Sequence, residues 1–259
     1  MKSKFTLLLL PLAFAFATSA RAQIAVYVSP NDIQTAEASG IMGVTPSQIF
    51  TETFNSRPLG TINGYQSPTT GISYSTSGGA DILPNDKYGG YQSGNYLGIA
   101  KNNSVTLSFT GSPSQYFGFY FTAGDGNNKI TFYSGNTLLF TFSTSTLIGI
   151  LPKTAGSHVT AINGSVYNTL DYYGQPVSNL DPNEPFAYLH FVAAAGVTFD
   201  RIVLSQGTNA IFENDNHSLL AVAPVIPDTL VKVPTTVPEP SALLLSGLGL
   251  SAFLLRRKR

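Results

Sequence analysis

Tyr116-Phe117-Gly118-Phe119-Tyr120-Phe121, Lys129-Ile130-Thr131-Phe132-Tyr133 and Thr137-Leu138-Leu139-Phe140-Thr141-Phe142 follow one another closely along the chain. Each run is too short for a stable helix and is rich in aromatic and β-branched residues, which favour a pleated strand. Gly124-Asp125-Gly126-Asn127-Asn128 forms a tight turn between the first two, and Ser134-Gly135-Asn136 is a hairpin signal between the last two. The same texture extends outward. Ile49–Phe54, Tyr96–Ala100 and Val105–Phe109 read as earlier strands, and Ala187–Val192, Val197–Ser205 and Ala210–Val222 as later ones. Asp81–Asn95 and Leu151–Pro185 read as long loops, the second with a short helix around Ser157–Ile162. Ser29 as N-cap, Pro30 at the first helical position and Gly40 as a left-handed cap predict one short N-terminal helix, Pro30–Ser39. The expected fold class is all-β: an antiparallel, jelly-roll-like β-sandwich of about nine or ten strands around one core.

The two ends of the chain are of a different character. Lys2 and Lys4 precede an apolar run, Phe5–Ala17, and Ala20-Arg21-Ala22 is a small-x-small site. Residues 1–22 thus read as a signal peptide, cut between Ala22 and Gln23. The sandwich is expected over residues 23–223. Pro224, Pro227 and Pro234 make residues 224–236 a stiff extended linker. After it come Val237-Pro238-Glu239-Pro240-Ser241, an apolar run Ala242–Leu255, and Arg256-Arg257-Lys258-Arg259. The apolar run makes roughly 21 Å of helix at 1.5 Å per residue, short of a ~30 Å hydrocarbon core. The basic cluster holds to the cytoplasmic side. The membrane contact expected of such a tail is transient, with the preceding chain outside.

Pro238-Glu239-Pro240, the short apolar segment and the terminal basic cluster, in that order, resemble the PEP-CTERM sorting signal of exosortase-dependent bacterial surface proteins. The resemblance implies exosortase and the secretion machinery as partners during export, processing near the Pro-Glu-Pro motif, and a final place at the cell surface or in the extracellular matrix. Tyr116–Phe121 with Lys129–Tyr133 also resembles the core hairpin of many PEP-CTERM ectodomains, and Phe212-Glu213-Asn214-Asp215-Asn216 resembles their final strand. Members of that group mostly lack an assigned activity, so the likeness bears on location and fold.

The whole chain has 14 basic and 14 acidic residues, but between Gln23 and Thr236 there are 7 basic and 13 acidic, a net of −6. Such a domain has no basic patch for nucleic acid or anionic membranes. With no cysteine, thiol catalysis and cysteine-ligated metal are excluded. No nucleophile-elbow, zincin or phosphate-loop motif occurs. His158, His190 and His217 lie on separate elements without metal-ligand spacing and read as loop or surface residues. Glu52, Asp86, Glu184 and Glu213 are the carboxylates from which a glycosidase pair would be drawn, but no spacing fixes any two. Enzymatic activity is not expected. The remaining candidates are two. Glu52 on the first strand and Asp215 with Asn216 on the last, with Asp81 or Asp86 nearby, would hold a structural Ca²⁺ if those strands adjoin. Tyr88, Tyr91 and Tyr96 would form an aromatic platform for an extracellular polysaccharide, with Gln92 and Asn95 bonding hydroxyls. The function expected is that of an exported structural or polysaccharide-binding surface protein; the competing readings are a polysaccharide hydrolase and a protein–protein adhesin.

Overall fold

The computed structural model describes residues 23–85, 94–174, 182–208 and 211–226. In chain order the strands are β1 (Ile24–Val28), β2 (Ile49–Glu52), β3 (Gly60–Thr61), β4 (Tyr65–Gln66), β5 (Ile72–Thr76), β6 (Ala80–Pro84), β7 (Asn95–Ala100) and β8 (Ser104–Phe109). They continue as β9 (Tyr116–Phe121), β10 (Lys129–Ser134), β11 (Thr137–Ser143), β12 (His158–Thr160), β13 (Val166–Asn168), β14 (Ala187–Ala193), β15 (Arg201–Ser205) and β16 (Ile211–Leu220). One α-helix, α1 (Thr144–Ile150), follows β11.

Two antiparallel sheets face each other. The larger runs β1-β14-β9-β16-β7-β6-β3, with β2 added beside β16, and the smaller runs β11-β10-β15-β8-β5-β4. Neighbours are rarely consecutive, as a jelly-roll-like wrapping requires. The expected hairpin is present, Lys129 pairing Ser143 and Phe132 pairing Phe140, with a bulge after Phe132. The inner faces interdigitate through aromatic rings. Phe132 lies 4.9 Å from Phe191, and Phe142 lies 5.2 Å from Phe191, edge to face. Phe117, Phe119, Phe121, Leu189 and Phe212 fill the same core from the larger sheet. Burying such side chains stabilises by about 1.5–3 kcal/mol each, the main force holding the two layers together.

The larger sheet has a second apolar face. Tyr27, Tyr116, Tyr120 and Tyr188 alternate with the core residues of β1, β9 and β14, and they are covered by Ala36, Ile41, Ile162 and Phe186. The expected helix Pro30–Ser39 is not formed. Its segment crosses this face as successive i→i+3 turns, Ile33 N–H to Pro30 O and Ser39 N–H to Ala36 O, both 3.1 Å. The physical reason lies in Ser29, whose hydroxyl is spent on tertiary partners and does not cap the segment. Gly40 does adopt the left-handed conformation, φ 68°. The α-helix among the described residues, α1, is capped by Ser143, whose hydroxyl accepts from Thr146 N–H at 3.4 Å. Two loop expectations are also corrected: β6 occupies the start of Asp81–Asn95, and residues 158–168 form the β12–β13 hairpin in place of a helix. The chain after Leu220 stays on the body. Ala221 N–H donates to Gln48 O at 2.8 Å and Val225 N–H to Met42 O at 3.1 Å, so residues 224–226, read as linker, are docked as a strap.

Candidate functional site

β2 and β16 pair antiparallel, with Glu52 opposite His217, so the adjacency expected of Glu52 and the last strand exists. In a regular strand Asp215 and His217 would share a face. Here the register shifts between Asp215 and Ser218, and Asn216 takes φ 53°. Asp215 therefore pairs with Tyr120 on the outer face, while His217 enters the core against Phe117 and Phe119. Glu52 and Asp215 end on opposite faces of one sheet and do not converge on one ion. Among the described residues no group of three or more His, Asp or Glu side chains has the geometry of a metal site. Asn216 donates its amide to Gln34 O at 2.9 Å, tying the covering segment down. Asp81 accepts from Thr61 Oγ1 at 2.9 Å, on the strand pair β3–β6.

The inward network joins the two sheets. The buried Glu52 carboxyl accepts from Phe54 N–H at 2.8 Å and from the Tyr65 hydroxyl. Burial, with the Glu52 hydrogen bond, pushes the Tyr65 hydroxyl up to about 12. The Arg57 guanidinium lies 4.0 Å from the Tyr65 ring centre, and Tyr65 stacks on Tyr74. The Tyr74 hydroxyl meets His217 Nδ1 at 3.1 Å, and His217 Nε2 meets Asn214 Oδ1 at 2.7 Å. An amide oxygen only accepts, so Nε2 carries the proton and Tyr74 donates to Nδ1. Burial lowers the His217 pKa to about 3, keeping the ring neutral.

The outward network has the same logic. Ser39 Oγ donates to Thr35 O at 2.6 Å, so it accepts from Ser29 Oγ at 2.6 Å. Ser29 then accepts from His190 Nε2–H at 2.7 Å, and His190 Nδ1 accepts from the Tyr116 hydroxyl at 2.8 Å. Burial lowers His190 to about 3 as well. The Ser29–His190 pair is not an activated nucleophile: the serine proton points away from the imidazole, and both residues are fully buried. His190 and His217, read as surface residues, are core residues; only His158 is exposed.

Tyr96 is not a platform residue. It lies buried on β7, and its hydroxyl donates to Glu213 Oε1 at 3.2 Å. Tyr88, Tyr91, Gln92 and Asp86 lie outside the described residues, as do Ala22 and the motif Pro238, Glu239 and Pro240; Gln23 is exposed at the start of β1. Three adjoining hollows, of about 270, 230 and 360 Å³, flank the strap, and no charged side chain lines any of them. They were not legible in the sequence, because the strap read as a free linker.

Among the described residues no helix is long and apolar enough to cross a membrane; the run Ala242–Leu255 lies outside them. No curated protein matches the chain. Residues 236–259 match the family model described as the PEP-CTERM protein-sorting motif. The C-terminus is thus a PEP-CTERM sorting signal, and it marks the chain as an exported surface protein sorted through exosortase.

Proposed function

We propose that the ectodomain is a non-catalytic component of the extracellular polysaccharide matrix, binding neutral sugar chains after the sorting signal is removed. The observation that carries this reading is the sorting motif at residues 236–259, which delivers the domain to the surface. Two features support the finer part. The hollows along the strap are lined by uncharged side chains, polar ones such as Ser112, Ser114 and Gln115 beside apolar ones such as Ala193, Leu219 and Ile226. That lining suits hydroxyl-rich, uncharged ligands better than ions. The buried histidines and Glu52 are committed to internal hydrogen bonds, leaving structural roles for the groups that acid–base chemistry would draw on.

The test is retention of the exported protein on a glycan array and on matrix polysaccharide isolated from the producing cells. Retention without release of reducing ends is the expected result. Sugar release that disappears in Glu52→Gln or Glu213→Gln would overturn the reading in favour of a hydrolase. Failure to retain any glycan would overturn it in favour of an adhesin.

A further inference from the structure

Among the described residues the two sheets end in five edge strands, and four are closed to strand addition. β3 and β4 are two residues each. β2 has four residues and turns the Glu52 carboxyl inward. β1 gives its Val28 carbonyl to Ile162 N–H at 2.8 Å, and Ile24 and Val26 are buried. Short edges, inward charges and covering segments are the usual protections against edge-to-edge pairing.

β11 carries only one known edge protection, a bulge at Leu139. Its seven residues, Thr137–Ser143, contain no charge and no proline. Its inner side pairs with β10. No hydrogen bond ties the backbone of its outer side to another described segment. Phe140 and Phe142 anchor one face in the core, so the strand is held rather than frayed. Thr137 and Thr141 are exposed, and Leu138 is 54% exposed, registered beside Tyr133 on the outer face. The bulge lies at the start of the strand and leaves residues 140–143 regular.

We propose that β11 is an interface between two copies of this chain, paired antiparallel about a two-fold axis so that two small sheets merge into one. Unsatisfied strand donors and acceptors call for another strand, and an antiparallel strand is complementary to itself. The charge pattern selects the same occupant. A domain of net −6 meets its copy here along a strand with no charge to repel, and a charged foreign peptide finds no complement on it.

The experiment is sedimentation of the exported protein over a concentration series, with backbone amide exchange of Thr137–Ser143. The expected result is a concentration-dependent dimer whose β11 amides gain protection with dimerisation. Leu138→Lys with Thr141→Lys should weaken the dimer at least about tenfold, since like charges then face across the axis, without lowering the melting temperature at concentrations where the unsubstituted chain is monomeric. As the chain has no cysteine, single thiols give a second reading. In a scan of single cysteines along Thr137–Ser143, oxidation should cross-link the position nearest the axis and fall off on either side of it, and should not cross-link a cysteine at Val166, which is also exposed on β13. A monomer at every concentration, or a dimer indifferent to both lysines, overturns the proposal. Neither outcome bears on glycan retention.

Discussion

His190 and His217 are neutral imidazoles whose tautomers are fixed by their partners, and this has a pH signature. Each has its pKa lowered from 6.5 to about 3 by burial. Between those values the unfolded chain takes up protons that the folded chain refuses. Their contribution is therefore complete above about pH 6.5 and is lost as pH falls toward 3, by roughly 1 kcal/mol per pH unit for each histidine. Thermal unfolding between pH 7 and pH 4 should show the loss, and His217→Gln should flatten the slope while lowering stability at pH 7. A slope unchanged in that variant would mean that other groups govern acid unfolding. At this scale the sequence was least legible. Strand alternation places His190 on the outer face of β14, but nothing local tells that the segment after Ser29 covers that face. The separation of Glu52 from Asp215 turns on one left-handed residue, Asn216, which reverses the parity of everything after it.

At the scale of elements, β9 depends on Gly118. A Cβ there would lie 2.7 Å from the Tyr188 hydroxyl and would also meet that of Tyr116. Tyr188 cannot swing away without leaving Asn216 O at 3.0 Å and Ser218 Oγ at 2.7 Å. Gly118→Ala should therefore destabilise by about 1–3 kcal/mol, the usual cost of overpacking. Gly149, inside α1, has open space where its Cβ would be. Gly149→Ala should stabilise by roughly 0.5–1 kcal/mol. Chemical denaturation of the two variants checks the pair, and equal effects would contradict the packing described. The central hairpin was legible because its alternation and turn residues agree. The helix was misplaced because Ser29 and Ser143 are both plausible caps, and only tertiary bonds decide which hydroxyl is free to act as one.

For the whole molecule, the C-terminal sorting signal was the most legible part, since it is read linearly by machinery and needs no fold. Intact mass of protein recovered from the surface should lack residues 1–22 and 242–259; a mass that retains Arg256–Arg259 would contradict processing of the matched motif. The sandwich was legible as a class, while its edges were not, because strand order is set by pairing far along the chain. The docked strap has one more consequence. Pro224 and Ile226 line the same hollow as Ala25 and Tyr27, and Gln23 O accepts from Ala194 N–H beside it. Entry and exit of the domain thus meet at one pole, and the ectodomain is nearly a closed ring. A short bridge from Ile226 to Gln23, with new ends opened at the exposed turn before Thr137, should give a circular permutant that still folds. Those new ends lie at the same pole, since Asp200 and Arg201 hold Gly135 and Phe199 pairs with Ser114 beside the strap, so anything fused to them would stay next to the point of attachment.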